Sequence, residues 1–303
     1  MTNTRTLGTT EIPFLGFGTY LIPNADAAAA VGTAIGAGYR HIDTAEFYDN
    51  EHGVGEGLRR GLAAHNVTRA DVYVTTKLWP GNAAWGQTPK TTATTIESLT
   101  ASLDRLGLDH VDLYLIHATF DRDQRIAQWR GLVELQQAGK ARSIGVSNFS
   151  TGHIEQLGAA GLPLPAANQI ELHPWSQKPA LVRFLDDNGI VPIAYSSLVP
   201  LSTWRTAPGH ASGKTDAMRD EGGPTSPFKA MAAKYRVSEA QVLLRWAIQK
   251  GFPVLPKSTS PDRIRQNADV FSFTLDSSDM AAIATMDRGD GIAWGTTDPT
   301  HFA

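Results

Sequence analysis

Short apolar runs recur along this chain, each ending in a polar residue and giving way to helical spacing. Eight are present: Phe14–Tyr20, His41–Asp43, Val72–Lys77, Val111–His117, Ser143–Asn148, Ala167–Glu171, Ile190–Tyr195 and Pro253–Lys257. Ahead of them, Leu7–Pro13 reads as a hairpin turning at Gly8 and Thr9. Between the runs, Asp26 is placed to cap a helix whose Val31 and Ile35 share a face, with Gly38 as its stop. Ile96, Leu99, Leu103 and Leu106 form a second helical face closed by Gly107, and Ile126, Trp129 and Val133 form a third before Gly139. Ser238 and Gln241 have capping-box spacing ahead of Leu243, Leu244 and Ile248.

Strands alternating with helices predict a parallel sheet with right-handed crossovers. Eight such units close most economically into an α/β fold, the (β/α)8 TIM barrel. A doubly wound sheet is the alternative. Its Gly-x-Gly-x-x-Gly fingerprint is not met, because Gly16-Phe17-Gly18 runs on into Thr19-Tyr20-Leu21. No linker or low-complexity stretch divides the chain, so one domain over residues 1–303 is expected. The irregular region Val199–Phe228 is expected to be an active-site loop.

Composition removes several function classes. The 303 residues are 42% hydrophobic and 19% charged, with a net charge of −3 and no Lys/Arg block, so a nucleic-acid partner is not expected. Zero cysteines exclude disulfides, thiolate metal sites and a cysteine nucleophile. Met1–Arg5 lacks the apolar core of a signal peptide. No apolar run approaches the ~20 residues that span a bilayer. A soluble cytoplasmic protein without a membrane partner is the expectation.

In barrels the chemistry sits at the C-terminal strand ends. Those ends carry Asp43, Lys77, His117, Ser147 with Asn148, Gln169, Tyr195 and Lys257. Each has an ordinary reading: Asp43 as a helix cap, Lys77 as a solvated cation, His117 as a hydrogen-bonded rim histidine. Their convergence on one face favours a shared site. Tyr48, five residues past Asp43, adds a phenol, and a lysine beside it favours the phenolate, lowering a pKa that is otherwise ~10. Asp43 would pair with Lys77, His117 would donate to a substrate carbonyl oxygen, and Tyr48 would deliver a proton as that oxygen becomes an alkoxide. No side chain supplies hydride, so carbonyl reduction here requires a nicotinamide cofactor. Lys257–Arg263 runs from the last strand into a helix start, with Ser260 at the N-cap and Pro261 in the first helical position. It reads either as an anion site, which would favour NADPH over NADH, or as an ordinary capped helix with surface cations.

At these residues the chain resembles the aldo-keto reductase superfamily over nearly its whole length. The motifs are Gly38–Ala45 with Tyr48 and Gly53-Val54-Gly55, then Leu115-Ile116-His117, Ile144–Phe149, Asn168–Pro174 and Pro256-Lys257-Ser258. Asn168–Pro174 and Gly251–Gly291 are most similar to bacterial 2,5-diketo-gluconate reductases. The resemblance implies a barrel whose bottom is closed by the hairpin, a catalytic tetrad of Asp43, Tyr48, Lys77 and His117, and NADPH/NADP+ extended across the strand ends. It implies that Ser147, Asn148 and Gln169 bind the carboxamide, that Tyr195 stacks on the nicotinamide, and that Thr19 and Tyr20 line its pocket. Ser196 and Leu198 would follow the pyrophosphate. Lys257, Ser258 and Arg263 would take the 2′-phosphate, with Gln266 and Asn267 near adenine. The implied activity is reduction of a small-molecule aldehyde or ketone, by a monomer.

Two departures stand out. Ala118-Thr119-Phe120 follows His117 where the family has Trp-Pro, so an aromatic wall is expected to be missing and the pocket wider there. Ser196-Ser197-Leu198 replaces the usual Ser-Pro-Leu. Tyr20, Phe47, Trp79, Trp204 and Trp294 are expected around the substrate, with Trp85 and Trp129 in the core or on helix faces. Three other functions remain open: a cofactor-binding redox-sensing or structural module, a Schiff-base aldolase built on Lys77, and metal-dependent hydrolysis. Against the last, the nine histidines show no paired ligand spacing.

Overall fold

The computed structural model of the chain describes residues 3–120, 122–201, 226–289, 291–294 and 298–301. Strands β1 (Thr4–Leu7) and β2 (Thr10–Pro13) pair antiparallel around Gly8, whose φ of 57° glycine adopts without strain. Seven strands then run parallel in sequence order: β3 (Phe17–Gly18), β4 (His41–Asp43), β5 (Tyr73–Leu78), β6 (Val111–Ile116), β7 (Ala141–Ser147), β8 (Ala167–Glu171) and β9 (Val191–Tyr195). Helices α1 (Asn24–Gly36), α2 (Glu51–His65), α3 (Thr92–Leu106), α4 (Arg122–Gln137), α5 (Thr151–Ala159) and α6 (Pro179–Asp187) connect successive strands. After β9 come α7 (Phe228–Tyr235), α8 (Glu239–Gln249), α9 (Pro261–Ala268) and α10 (Ser277–Ala284).

The eighth stave of the barrel is the segment around Val254, which bridges Ala194 of β9 on one side and Leu15, just before β3, on the other. Val254 N donates to the Phe14 carbonyl and Gly16 N to the Val254 carbonyl, each at 2.8 Å, so the sheet closes on itself. Pro253 and Pro256 have no N–H to give to a ladder, and the expected strand Pro253–Lys257 therefore shrinks to a single bridge residue. The expected Phe14–Tyr20 strand likewise contracts, to Phe17–Gly18.

Alternation along β6 sets out the layers. Leu113 and Leu115 point into the barrel with Tyr73, Val191 and Ile193, whereas Tyr114 and Ile116 face the helices. Both faces are buried, which is why this strand reads as a continuous apolar run. Leu7 and Ile12 of the hairpin are fully buried against the inward set, and the Thr10 and Ser143 hydroxyls meet at 3.1 Å. The hairpin thus closes the end of the barrel where the strands begin.

Most helix signals hold. Gly107 and Gly139 turn the chain past their helices at φ of 66° and 71°, and Ser238 and Gln241 bond reciprocally. Ser260 accepts from Arg263 N, with Pro261 in the first turn. Asp26 does not cap α1. That helix starts earlier, at Asn24 behind Pro23, and Asp26 lies in its first turn, where a carboxylate still complements the positive helix end. Of Val199–Phe228 only the ends are described: Val199–Leu201 forms a 3-10 turn and Phe228 opens α7. Among the described residues, no helix is long and apolar enough to cross a membrane.

His41 gives the fold a pH dependence. It is fully buried on β4 with Nε2 3.0 Å from Thr75 Oγ1, and burial, then the Lys77 charge, lower its pKa from 6.5 to about 3. The unfolded chain takes up a proton below pH 6.5 that the fold excludes, so this group's stability is full above that pH and is lost as pH falls toward about 3. Urea unfolding at stepwise pH should show the decline. His41→Gln should make the slope shallower by about one proton, ~1.4 kcal/mol per pH unit, and an unchanged slope would contradict the assignment.

Candidate active site

Asp43 is the last residue of β4 and pairs with Thr75 of β5, which brings Lys77, two residues further on and on the same face, to its carboxylate. Lys77 Nζ donates to Asp43 Oδ1 at 2.5 Å, to the Thr44 carbonyl at 2.8 Å and to Tyr48 Oη at 3.3 Å. All three ammonium donors are therefore engaged. Asp43 Oδ2 accepts from Gln169 Nε2 of β8 at 2.8 Å. A 3-10 turn, Glu46–Tyr48, ends at Asp49 in the left-handed region (φ 52°) and presents Tyr48. His117 directly follows β6, with its ring edge-on to Tyr48 and Trp79, each at 5.5 Å. Lys77 is fully buried, and Asp43 and His117 nearly so.

Burial pushes the Asp43 carboxyl up and the Lys77 ammonium down, while each charge opposes the shift of the other. Tyr48 is pushed well above its ordinary value, by burial first and then by Asp43 and Tyr20. The expected lowering by the lysine is thus overturned. Asp43 offsets the ammonium's field, and desolvation of the phenol dominates. Burial, then the Lys77 charge, holds His117 well below the ordinary histidine range. Its neutral imidazole keeps a single N–H to donate.

A cavity of about 800 Å³ joins these residues to the start of α9. Its wall holds Asp43, Tyr48, His117, Ser147, Asn148, Gln169 and Tyr195. The same wall holds Ser196, Leu198, Lys257, Ser258, Arg263, Gln266 and Asn267. Lys257 and Arg263 set two exposed cations beside the α9 N-terminus. Gly18 also lines the cavity, and a Cβ there would lie 2.9 Å from the Leu255 carbonyl oxygen. Lys77 lies beneath the wall. Thr19, expected in the wall, is behind it: fully buried, with its hydroxyl on the Asp43 carbonyl at 3.1 Å.

Above the tetrad the wall turns aromatic. Phe47, Trp79 and Trp85 stack in a ladder, with centroids 4.0 and 6.0 Å apart and planes within 19° and 18°. Trp129 is buried as expected, but Trp85 is 56% exposed on the cavity rim, at the end of a 3-10 turn capped by Asn82. Its place in a Pro-Gly-Asn loop six residues past Trp79 was the available signal. Phe120 packs on Trp79 at 5.2 Å, on Trp85 at 5.3 Å and on Trp294 at 6.1 Å. Phe120, three residues past His117, thus packs on this aromatic cluster without itself lining the cavity. Tyr20, half-exposed, lies 5.1 Å from the Tyr48 ring. Leu21 and Leu255 also line the cavity, with nothing in their residue type to mark them. Trp204 lies outside the described residues.

A model of the aldo/keto reductase family matches residues 14–288. The chain is 39% identical to morphine 6-dehydrogenase of Pseudomonas putida, across 92% of this chain and 89% of that protein. It is 38% identical to 2,5-diketo-D-gluconic acid reductase B of a Corynebacterium species, across 94% and 92%. A solved aldo-keto reductase of Bombyx mori, in complex with NADP, matches with a TM-score of 0.84 at 34% identity, covering 98% of each chain. With its barrel, its buried Lys77–Asp43 pair and these matches, the chain belongs to the aldo/keto reductase family.

Proposed function

We propose that this protein reduces an aldehyde or ketone to an alcohol with NADPH as cofactor, using Tyr48 as proton donor. One observation carries the reading: Lys77 joins Asp43 to Tyr48 at a cavity whose wall also holds Lys257 and Arg263 at a helix start. The wall chemistry fits a phosphorylated dinucleotide, with amide side chains and a phenol near Tyr48 and cations beside the α9 N-terminus. Ser147, Asn148, Gln169 and Tyr195 would hold the nicotinamide end, Ser196 and Leu198 the middle, and Lys257, Ser258, Arg263, Gln266 and Asn267 the phosphate and adenine end. When bound, the nicotinamide supplies hydride.

The chain's own residues handle the oxygen. His117, neutral, donates its N–H to the carbonyl oxygen and orients it. A raised pKa keeps Tyr48 protonated, as a general acid must be at the start of a reduction. Tyr48 Oη gives its proton to that oxygen, and the Lys77 ammonium 3.3 Å away balances the phenolate left behind. Phe47, Trp79, Trp85 and Trp294 hold the rest of the substrate and exclude water. Schiff-base chemistry at Lys77 has less support, since all three donors of its ammonium are engaged.

Three outcomes test this. Tyr48→Phe should lower aldehyde-dependent NADPH consumption by about 10²- to 10⁴-fold with cofactor binding retained; undiminished turnover would remove Tyr48 as the acid. Arg263→Ala should weaken NADPH binding roughly tenfold in calorimetry and leave NADH little changed, whereas equal effects on both would argue against a 2′-phosphate contact. With His117 neutral well below pH 6.5, the reduction rate should show no inflection near that pH. A loss of rate there that disappears in His117→Gln would contradict its neutral state.

A further inference from the structure

Trp294, on the segment that follows α10, donates its indole Nε1–H to Tyr195 Oη at 3.0 Å. The Tyr195 hydroxyl donates in turn to Asn148 Oδ1 at 2.7 Å. Asn148 Nδ2 donates to the His117 carbonyl at 2.9 Å and to Ser147 Oγ at 3.1 Å. The direction of this chain is fixed: an indole N–H can only donate, so the phenol accepts from it and passes its own proton to the amide oxygen. Asn148 sits at φ 64°, a left-handed conformation that is uncommon for a residue with a side chain and that these bonds help to hold.

The segment carrying Trp294 is itself tied to the barrel. Glu171 Oε1 accepts from Ile292 N at 2.6 Å and Ala293 N at 3.0 Å, and Oε2 accepts from Ala293 N at 2.9 Å. Gly291 N donates to Asp298 Oδ2 at 3.1 Å. A Cβ at Gly291 would lie 2.6 Å from Glu171 Oε2 and 2.7 Å from Asp298 Oδ2, so a larger residue would displace one of these carboxylates. Glu171 and Tyr195 are register partners at the ends of β8 and β9. One rung of the barrel therefore fixes the donor's backbone and the acceptor's side chain together.

Resting on the NADPH reading above, we propose that Trp294 is a positioning residue for the nicotinamide end of the cofactor site, acting through the Tyr195 hydroxyl on Tyr195 and Asn148. Its ring faces the substrate half beside Phe120, while its N–H locks two side chains of the cofactor half. An aromatic wall alone would not need the indole nitrogen. A clamp would.

A double-mutant cycle on the NADPH dissociation constant, measured by isothermal titration calorimetry without carbonyl substrate, separates the two. Trp294→Phe keeps an aromatic ring and removes the N–H; Tyr195→Phe keeps the ring and removes the hydroxyl. Each single variant should weaken NADPH binding about three- to tenfold, and the double variant should bind about as tightly as Tyr195→Phe alone. Additive effects, or a Trp294→Phe affinity within about twofold of wild type, would overturn the clamp and leave Trp294 as a wall of the substrate pocket. A wild-type chain that binds no NADPH would instead overturn the cofactor reading, and the clamp with it, so the two failures are told apart.

Discussion

The buried pair of Lys77 and Asp43 is the interaction on which the rest of the site depends. Taking an ammonium and a carboxylate out of water costs several kcal/mol for each ion, recovered only when geometry is good and every remaining donor or acceptor is satisfied. Here Lys77 spends one donor on Asp43, one on the Thr44 carbonyl and one on Tyr48, and Gln169 satisfies the second Asp43 oxygen. Lys77 stands on β5, and those partners come from the neighbouring strand β4, from the turn after it, and from β8 on the far side of the barrel. Only a closed barrel brings them together. The two bridges at Val254 and the hairpin over the opposite end are thus structural conditions for the chemistry.

From that pair, hydrogen bonds run outward without a break. Gln169 leads to Ser147, whose hydroxyl donates to the Gln169 carbonyl, then to Asn148, Tyr195 and Trp294. Glu171 holds the last of these through the backbone of residues 292 and 293. The polar and the aromatic residues of the cavity wall therefore share one network, in which a partly satisfied member would be costly.

Much of this was legible in the residues alone, and the exceptions have physical causes. Strand ends were readable because a parallel barrel strand is buried on both faces and reads as an apolar run, so the polar residue that ends the run marks where the barrel opens. Asp43, Lys77 and Tyr195 all lie at or next to such ends. Prolines broke the rule at Pro253–Lys257: they suit an apolar run but cannot donate to a ladder. The Tyr48 shift runs opposite to expectation because the strand-end pattern brings Lys77 to the phenol but carries no measure of the phenol's desolvation. The packing of Phe120 on Trp79 and Trp294 joins separate chain segments, which residue types alone do not announce. The Trp294–Tyr195 bond joins residues 99 apart in sequence, and neither residue type announces it.

The most direct test of the account is the turnover of Lys77→Met at saturating NADPH and aldehyde, with melting temperature and NADPH affinity measured on the same sample. The account predicts a folded, cofactor-binding protein of lowered stability whose reduction rate falls by about 10²-fold or more. A variant that folds, binds NADPH and reduces aldehyde at close to the wild-type rate would contradict it, because Lys77 would then be a structural cation with no part in the proton's transfer.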